Sequence, residues 1–441
     1  MSTVELGLWS FPVLLALIFL RIPIGVAMLG VGLGGSYLIT GSFTPMLAQF
    51  KSLTYSTFSG YSLSVVPLFL LMGQFASLGG LSASLFDAAA KWLGHRRGGL
   101  AMAAVGACGG FGAICGSSLA TAATMGRVAL PQLRRHGSSG ALSAGALAAG
   151  GTLGILIPPS VILVIYAVLT EQNIAKLFMA AIVPGLLALL GYLVAVAVFV
   201  RLDPDAAGAP RPRVPYRERI TALIGIWPVL AIFIAVIGGI YTGIFTPTEA
   251  AAIGAAGTGL VAVLSGGLRG RGIVEALLAT ASTTAMMFLI ILGASALNSF
   301  LALSQLPQVA AGFIGEQGLN PWLVLVVVLA FYLLLGCVMD SLSMILLTIP
   351  IIFPVMSALD FGMAPEEFAL WFGILVLIVV EMGLITPPVG MNLFVIGAMD
   401  RTIPLSDIYR GVVPFIASDV VRVALLVAFP VLTLHAVRLF F

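Results

Sequence analysis

Charge is the property that this sequence has least of. Only 8% of the 441 residues are Asp, Glu, Lys or Arg, whereas 60% are hydrophobic. A soluble domain carries roughly 25% charged residues, so a composition this apolar excludes a soluble globular protein. We predict a multi-pass membrane protein whose solvent is the lipid bilayer and which has no nucleic-acid partner.

Cysteine and histidine are also scarce, with three residues of each. Cys108 and Cys115 are seven positions apart, which on one helix separates them by about 10 Å, too far for a disulfide bond. The histidines lie near basic clusters or near the end of the sequence, where an interfacial role is typical. We therefore expect no disulfide pattern, no metal centre built from these side chains and no organic cofactor.

The sequence also lacks the sustained period-two alternation of a membrane barrel. Uncharged runs recur instead, and about 20 apolar residues are enough for one helical crossing, so we predict an all-α protein with about 10–12 transmembrane helices. The N-terminus has no basic region followed by a cleavage site, so we expect no removable signal peptide. The uncharged runs are residues 22–50, 52–86, 98–126, 177–200, 250–268, 276–315 and 317–339.

The few charges that are present indicate an orientation. Lys and Arg concentrate in cytoplasmic loops of membrane proteins, so we place the basic segments of this chain in the cytoplasm. Segments that are poor in Arg and richer in acid, such as residues 360–367, are expected outside. The basic segments are residues 91–99, 134–137, 201–219 and 269–272, with Arg401 and Arg410.

Residues 98–126 lie between two of these basic segments and are uncharged. A chain that leaves the cytoplasm and must return there within so few residues forms a re-entrant hairpin, which we place at about 98–134 with its tip at Gly116, Ser117 and Ser118. Non-helical backbone at membrane depth requires burial in protein or a wet cavity. The alternative is an ordinary pair of kinked helices that pack through glycine.

The chain also contains two copies of one pattern. The segment "GILIPPSVILVIYA" from Gly154 matches "GLITPPVGMNLFVIG" from Gly383. We therefore divide the chain into a first repeat (1–200, with a broken helix at about 140–170), a cytoplasmic linker (201–219) and a second repeat (220–441, with a hairpin at about 322–357 and a broken helix at about 367–399). The loop charges give the two repeats opposite orientations, and inverted repeats place a binding site near the midplane.

The paired prolines Pro158–Pro159 and Pro387–Pro388 interrupt the long helix after each hairpin. Such a break frees backbone carbonyls that suit a sodium ion, and the next half-helix presents N–H groups that suit a carboxylate. In the second break, Thr386 and Asn392 add oxygen ligands, while Gly383 and Gly390 allow close backbone approach. The alternative is a pair of proline kinks that only help packing.

Asp340 is the most informative single residue. It lies at the tip of the second hairpin with Ser341, and a carboxylate near the middle of a membrane is by default a functional residue. It could contact substrate or a cation, and the alternative is a structural partner for hairpin amides. Arg127 either attracts an anionic substrate or, as we favour, anchors the first hairpin at the cytoplasmic interface. Three further acids in or beside apolar segments are ranked below Asp340, and only Glu381 among them adjoins a break; the three are Glu249, Glu381 and Asp419.

Five segments resemble the large membrane subunit, the M or DctM-like component, of tripartite ATP-independent periplasmic (TRAP) transporters. They are "CGSSLATAATMGRVALPQLRRHG", "GTLGILIPPSVILVIYAVLT", "YTGIFTPTEAAAIGA", "GCVMDSLSMILLTIPIIFPV" and "GLITPPVGMNLFVIGAMDR". The resemblance covers essentially the whole chain. It implies an elevator-type secondary transporter of the bacterial inner membrane, driven by two or more sodium ions, that takes up an organic acid such as a dicarboxylate, a keto acid or a sugar acid.

The resemblance also implies partners and site residues. The partners are a small membrane subunit (Q, DctQ-like) with four helices, for which the residues before Leu6 are too few, and a periplasmic substrate-binding protein (P, DctP-like) that largely selects the substrate. Substrate contacts are implied for Ser118, Ser160 and Asp340. The implied sodium ligands are Gly116, Ser117, Ser118, Gly151, Thr152, Pro158, Asp340, Ser341, Ser343, Gly383, Thr386, Pro387, Gly390, Met391 and Asn392.

Two other classes of function remain open on the residues alone. A stand-alone sodium- or proton-coupled carboxylate symporter would share the repeats and would transport without partner proteins. An intramembrane hydrolase would need paired catalytic groups, and the candidates are residues 293–296 with His435, or Asp340 with Asp419. Neither pair has the expected flanking motif, so we expect that the protein is not an enzyme.

Overall fold

The structure is a computed structural model that describes residues 2–265 and 267–441. Within these residues the regular elements are helices and there is no strand, as the all-α prediction requires. The helices of the first half are α1 (Thr3–Phe19), α2 (Ile24–Thr40), α3 (Phe43–Ser59), α4 (Val65–Leu78), α5 (Leu81–Leu93), α6 (Gly99–Cys115), α7 (Ser118–Arg135), α8 (Gly140–Leu156), α9 (Val161–Leu169) and α10 (Ile174–Leu202).

The second half begins with a short helix after the linker. Its helices are α11 (Tyr216–Gly225), α12 (Trp227–Phe233), α13 (Gly239–Tyr241), α14 (Pro247–Leu264), α15 (Gly270–Ser304), α16 (Leu306–Glu316), α17 (Pro321–Gly336), α18 (Ser341–Ser357), α19 (Pro365–Gly383), α20 (Met391–Met399), α21 (Leu405–Ala428) and α22 (Val431–Phe440). Short 3₁₀ turns at Tyr61–Ser64 and Pro204–Ala207 and a π-helical segment at Ile234–Gly238 complete the described elements.

Helix length explains why the number of membrane crossings cannot be read directly from the helices. Five described helices are long and apolar enough to cross a membrane, and two bent pairs, one of them α8 with α9, raise the number to seven. Helices α1 and α2 are apolar but have only 17 residues each, and each hairpin divides its apolar run between two arms. The expected 10–12 crossings therefore stay a prediction.

The two halves interlock. Helix α2 packs against α15, and α14 packs against α4. The same exchange recurs later in the chain, where α8 packs against α21 and α10 packs against α19. Each half therefore completes its core with helices of the other half. The predicted boundaries at residues 200 and 220 divide the sequence into repeats, but the two repeats do not form separate domains.

The linker between the halves fastens the basic loops together. The amide of Ala209 donates to the carbonyl of His136 at 2.7 Å, and the amide of Arg211 donates to the carbonyl of Gly94 at 2.9 Å. Partial burial, with the guanidinium groups of Arg219 and Arg213 nearby, lowers the pKa of His95 in this cluster. Three of the segments predicted to be cytoplasmic thus lie side by side at one end of the molecule.

Candidate functional site

The first hairpin, formed by α6 and α7, turns at a glycine and a serine. Gly116 ends α6 with φ +64°, a left-handed conformation that glycine adopts without steric cost. Ser117 precedes α7 as its N-cap, and its hydroxyl accepts a hydrogen bond from the amide of Ala120 at 3.4 Å. Helix N-termini leave amides without partners, and a serine cap satisfies one of them where water is scarce. The arms begin and end at residues 99 and 135, against an expected 98–134.

The second hairpin, formed by α17 and α18, turns with a different cap. Asp340 precedes α18, and its Oδ2 accepts a hydrogen bond from the amide of Ser343 at 3.0 Å. Asp340 therefore acts as a structural partner of a hairpin amide, one of the two alternatives for this residue, while its partly exposed carboxylate remains able to contact a ligand. The arms span residues 321–357, against an expected 322–357.

A glycine pair holds each hairpin against the helix that precedes a break. A Cβ atom on Gly112 of α6 would lie 2.4 Å from the Cα atom of Gly154 in α8, and one on Gly383 of α19 would lie 2.6 Å from the Cα atom of Gly336 in α17. Such distances leave no room for any side chain. The matched glycines of the two repeats thus serve the same contact, backbone against backbone.

The first break lies between α8 and α9, which are bent by 45°. Pro158, Pro159 and Ser160 are all buried, and the Ser160 hydroxyl accepts a hydrogen bond from the amide of Leu163 at 3.4 Å. The carbonyl oxygen of Pro159 lies beside Gly116, 3.2 Å from where a Cβ atom would be. The first break and the tip of the first hairpin therefore touch through backbone groups.

The second break, between α19 and α20, is more open. Pro387 and Pro388 are exposed, and the amide of Gly390 (φ +67°) donates to the carbonyl of Cys337 at 3.1 Å. Asn392 is fully buried; its Nδ2 donates to the carbonyl of Ala148 at 3.1 Å, while its Oδ1 has no hydrogen-bond partner among residues 2–265 and 267–441. A buried amide oxygen without a partner is a fitting ligand for a hard cation.

Other predicted sodium ligands are already engaged by the protein. The Thr152 hydroxyl donates to the carbonyl of Ala149 at 2.7 Å and lies 3.0 Å from Tyr192 Oη. The Thr386 hydroxyl donates to the carbonyl of Met382 at 2.6 Å. These hydroxyl oxygens still have lone pairs that could bind an ion, but their hydrogen bonds to the protein fix their orientation.

The remaining predicted ligands contribute packing or backbone. Gly151 lies against α7, where a Cβ atom would come within 2.7 Å of Ala122. Met391 is half-buried at the start of α20, and Ser343 offers its amide to Asp340.

Glu381 is the residue that sequence reasoning ranked too low. It is fully buried in α19, and its Oε1 accepts hydrogen bonds from the hydroxyls of Ser341 at 2.5 Å and Ser118 at 3.5 Å. The two hairpin tips therefore converge on one carboxylate. An acid next to a proline break was the available signal; that both tips would meet there depends on the tertiary fold.

A cavity of about 270 Å³ lies between the two tips and is also lined by residues of α4 and α15. Of the three predicted substrate contacts, Ser118 and Asp340 line it, whereas Ser160 is fully buried and is not among the lining residues. Few convergent polar groups in an otherwise apolar pocket are typical of small-molecule sites. Its polar lining consists of Gln74, Ser77, Gly116, Ser117, Ser118, Thr283, Asp340 and Ser341.

The other ionisable candidates lie away from this cavity's lining. Arg127 is exposed on α7, a position that fits an interface anchor. Glu249 is exposed, and its carboxylate accepts from the amide of Thr246 at 2.8 Å in a capping box at the start of α14. Asp419 is buried but is bound by Arg422 Nη2 and Tyr192 Oη, each at 2.8 Å.

Comparison with known proteins identifies the family. The family model described as "Tripartite ATP-independent periplasmic transporter, DctM component" matches residues 11–432. The chain belongs to this family. The predicted resemblance is therefore confirmed, and so is the expectation that this DctM-family chain is not an enzyme, since the relatives are transporter permeases.

Relatives match the DctM-family chain over most of its length. The C4-dicarboxylate TRAP transporter large permease protein DctM of Pseudomonas aeruginosa is 39% identical over 382 residues, covering 86% of this chain and 87% of the relative. The sialic acid TRAP transporter large permease protein SiaM of Vibrio cholerae is 31% identical over 427 residues, covering 97% of each. The YdaH transporter of Alcanivorax borkumensis has a similar fold, with a TM-score of 0.63 at 14% identity over 88% of this chain and 89% of that one.

Proposed function

We propose that this chain is the large membrane subunit of a TRAP transporter that takes up an organic acid across the bacterial inner membrane, driven by a sodium gradient. A small membrane subunit and a periplasmic substrate-binding protein complete the transporter. Membership of the DctM family supports this role. The substrate class follows from relatives named for C4-dicarboxylates and sialic acid, and a C4-dicarboxylate is our first choice because that relative shares 39% of its residues.

The observation that carries the proposal is the convergence of both hairpin tips on one cavity. Ser117 and Ser118 line it from one repeat, and Asp340 with Ser341 lines it from the other. A polar substrate placed there contacts both halves of the molecule at once. In inverted repeats this is the arrangement that lets one site serve both sides of the membrane.

Sodium is the coupling ion that the oxygen groups fit. Near the second break, the Asn392 Oδ1 is buried and has no partner among the described residues. Near the first break, the Pro159 carbonyl lies beside the Gly116 turn. Carbonyl and amide oxygens without hydrogens to donate are the ligands that hard cations take, and one such group at each break supports two ions per cycle.

The difference in exposure between the breaks supports an elevator motion. Pro387 and Pro388 are exposed while Pro158 and Pro159 are buried, so the two related sites face different environments in one conformation. Transport requires that the environments exchange. Cysteine labelling tests this: in a background without Cys108, Cys115 and Cys337, a cysteine at Val389 should react with a polar thiol reagent and one at Ser160 should react only under turnover.

Uptake of a radiolabelled C4-dicarboxylate into proteoliposomes tests the function directly. The chain is purified with its small membrane subunit and reconstituted, and the binding protein is added outside. We expect uptake with an inward sodium gradient that rises sigmoidally with sodium and is lost when potassium replaces it. Full uptake on a proton gradient alone would contradict sodium coupling, and uptake without the binding protein would instead favour a stand-alone symporter.

A further inference from the structure

Ser118 and Ser341 occupy the same position in the two hairpins, because each is the first residue of the helix that follows the tip. Both hydroxyls donate to the same oxygen, Oε1 of Glu381. Among the hydrogen bonds of residues 2–265 and 267–441, no other side chain joins the two tips in this way.

The repeat symmetry is broken at this acid. Glu381 stands two residues before Gly383, and the residue two before Gly154 in the first repeat is Thr152, whose hydroxyl lies against Tyr192. One carboxylate of the second repeat therefore serves the tips of both repeats. A symmetric arrangement would have given each tip its own partner.

A buried carboxyl group is energetically unfavourable if its role is only to link the two tips. Glu381 is 0% exposed, and its Oε2 has no hydrogen-bond partner within the part of the chain that the structure describes. Burying a half-satisfied carboxylate disfavours folding, and well-packed neutral side chains commonly stabilise such a position better. An acid at this depth of a membrane protein is more often tied to transport than to stability.

We propose that Glu381 is a positioning residue that couples the two hairpin tips. It holds the second tip firmly through Ser341 and the first tip weakly through Ser118, since 3.5 Å is at the outer limit of a hydrogen bond. Movement of either tip changes the position of the carboxylate and hence the bond to the other tip. We call Glu381 with its hydrogen bonds to Ser118 and Ser341 the latch. Because both tips line the substrate cavity, a ligand bound at one hairpin changes the position of the other through the latch; this consequence rests on the proposed function.

Hydrogen–deuterium exchange of the purified chain in detergent tests the latch without any transport assay. Peptides that cover residues 116–121 and 340–345 report the two tips. Substitution Glu381→Ala should speed exchange at both tips by at least about tenfold, the effect of losing a buried hydrogen bond. Ser341→Ala should speed exchange at both tips, and more strongly than Ser118→Ala does, because its hydrogen bond to Glu381 is the shorter of the two.

The matched control is Glu367→Gln. Glu367 lies on the same helix but near its N-terminus, partly exposed, where it pairs with Arg438 at 2.7 Å, so neither tip should change. Accelerated exchange at one tip only, or within α19 only, in a monodisperse Glu381→Ala protein would overturn the proposal. If that variant does not fold, the double variant Ser118→Ala and Ser341→Ala decides, since unchanged protection of both tips would equally reject the latch.

A second readout distinguishes coupling from packing. Glu381→Gln keeps an acceptor oxygen and the length of the side chain but removes the charge, so we expect a folded protein whose sodium dependence of uptake loses its sigmoidal form. An unchanged sigmoidal curve in this variant would reject the coupling role. If the unmodified protein shows no sodium-dependent uptake at all, the proposed function fails, whereas the exchange experiment still reports on the latch.

Discussion

The two units of hairpin and broken helix share their backbone packing and differ in their surroundings. Gly112 with Gly154 and Gly336 with Gly383 form equivalent contacts, yet the prolines of the first break are buried and those of the second are exposed. Packing at the glycines depends on local sequence, which is duplicated. The exposure of a break depends on which other helices of the chain cover it, and those helices are arranged differently around the two breaks.

The polar groups of the two units differ in the same sense. In the first unit, Thr152 joins a buried chain of contacts through Tyr192 and Asp419 to Arg422. In the second unit, the Oδ1 atom of Asn392 has no hydrogen-bond partner among the residues that the structure describes. In the first unit, the predicted ligand Thr152 therefore helps to hold α8, α10 and α21 together. In the second unit, the predicted ligand Asn392 has an oxygen that can bind an ion.

The largest effect is expected from filling the glycine contacts. Gly112→Ala and Gly383→Ala each place a methyl group within 2.6 Å of a backbone atom, and we expect each to lower the free energy of unfolding by about 3 kcal/mol because backbone cannot move aside as a side chain can. Thermal unfolding of the purified variants measures this. Gly30→Ala, where nothing lies within 4 Å, is the control. Damage from only one of the two would show that the units are not equivalent.

The charge at the second tip should matter more than the hydroxyls at the first. Asp340→Asn keeps an acceptor for the Ser343 amide, because Asn caps helices as well as Asp does, so the protein should insert and purify normally. We expect uptake to fall at least about tenfold, or roughly 1.4 kcal/mol at the limiting step. Ser117→Ala is the matched change at the first tip and should cost less. Normal uptake by Asp340→Asn would leave the residue only its capping role.

The sodium dependence of uptake distinguishes the role of Thr152, which is hydrogen-bonded within the protein, from the role of Asn392, whose oxygen can bind an ion. Asn392→Ala removes the oxygen that has no partner, so the sodium concentration for half-maximal uptake should rise by about tenfold, the effect of one lost ligand. Thr152→Val should instead lower thermal stability by about 1 kcal/mol through the lost hydrogen bond to Tyr192 and leave sodium dependence unchanged. The reverse outcome would show that Thr152, and not Asn392, supplies an ion ligand.

The smallest effect is expected from the ion pair between Arg134 at the end of α7 and Asp400 after α20, whose charged atoms are 2.5 Å apart. Asp400→Asn should change stability by less than about 1 kcal/mol, because the pair is partly exposed. Hydrogen bonds from Thr402, followed by Arg134, lower the pKa of Asp400. The contribution of the pair is therefore present at neutral pH and is lost only as pH falls below the usual range for Asp. A thermal shift between pH 7 and pH 5 that depends on Asp400 would contradict this.

Local sequence signals locate the turns and breaks along the chain, but they do not show which side chains meet at the site. Glycines, prolines and caps act over a few residues, so the hairpin tips at Gly116 and Asp340 and the breaks at both proline pairs lie at the predicted positions in the chain. Ser160 was expected to contact substrate and is fully buried, outside the lining of the cavity. Glu381 was ranked below Asp340, and its partners Ser341 and Ser118 lie 40 and 263 residues away in the chain, beyond the reach of a local pattern.

What the sequence determined by itself is the solvent, the helical class and the family, since composition and short motifs report the energetic preferences of individual segments. Only the tertiary structure decided which break is covered, which predicted ligand is already bound by the protein, and that Ser118 and Ser341 meet at one carboxylate. The physical reason is that a buried polar group takes whichever partner packing places within hydrogen-bond distance. Packing in this protein joins helices of opposite halves, a relation that no local pattern encodes.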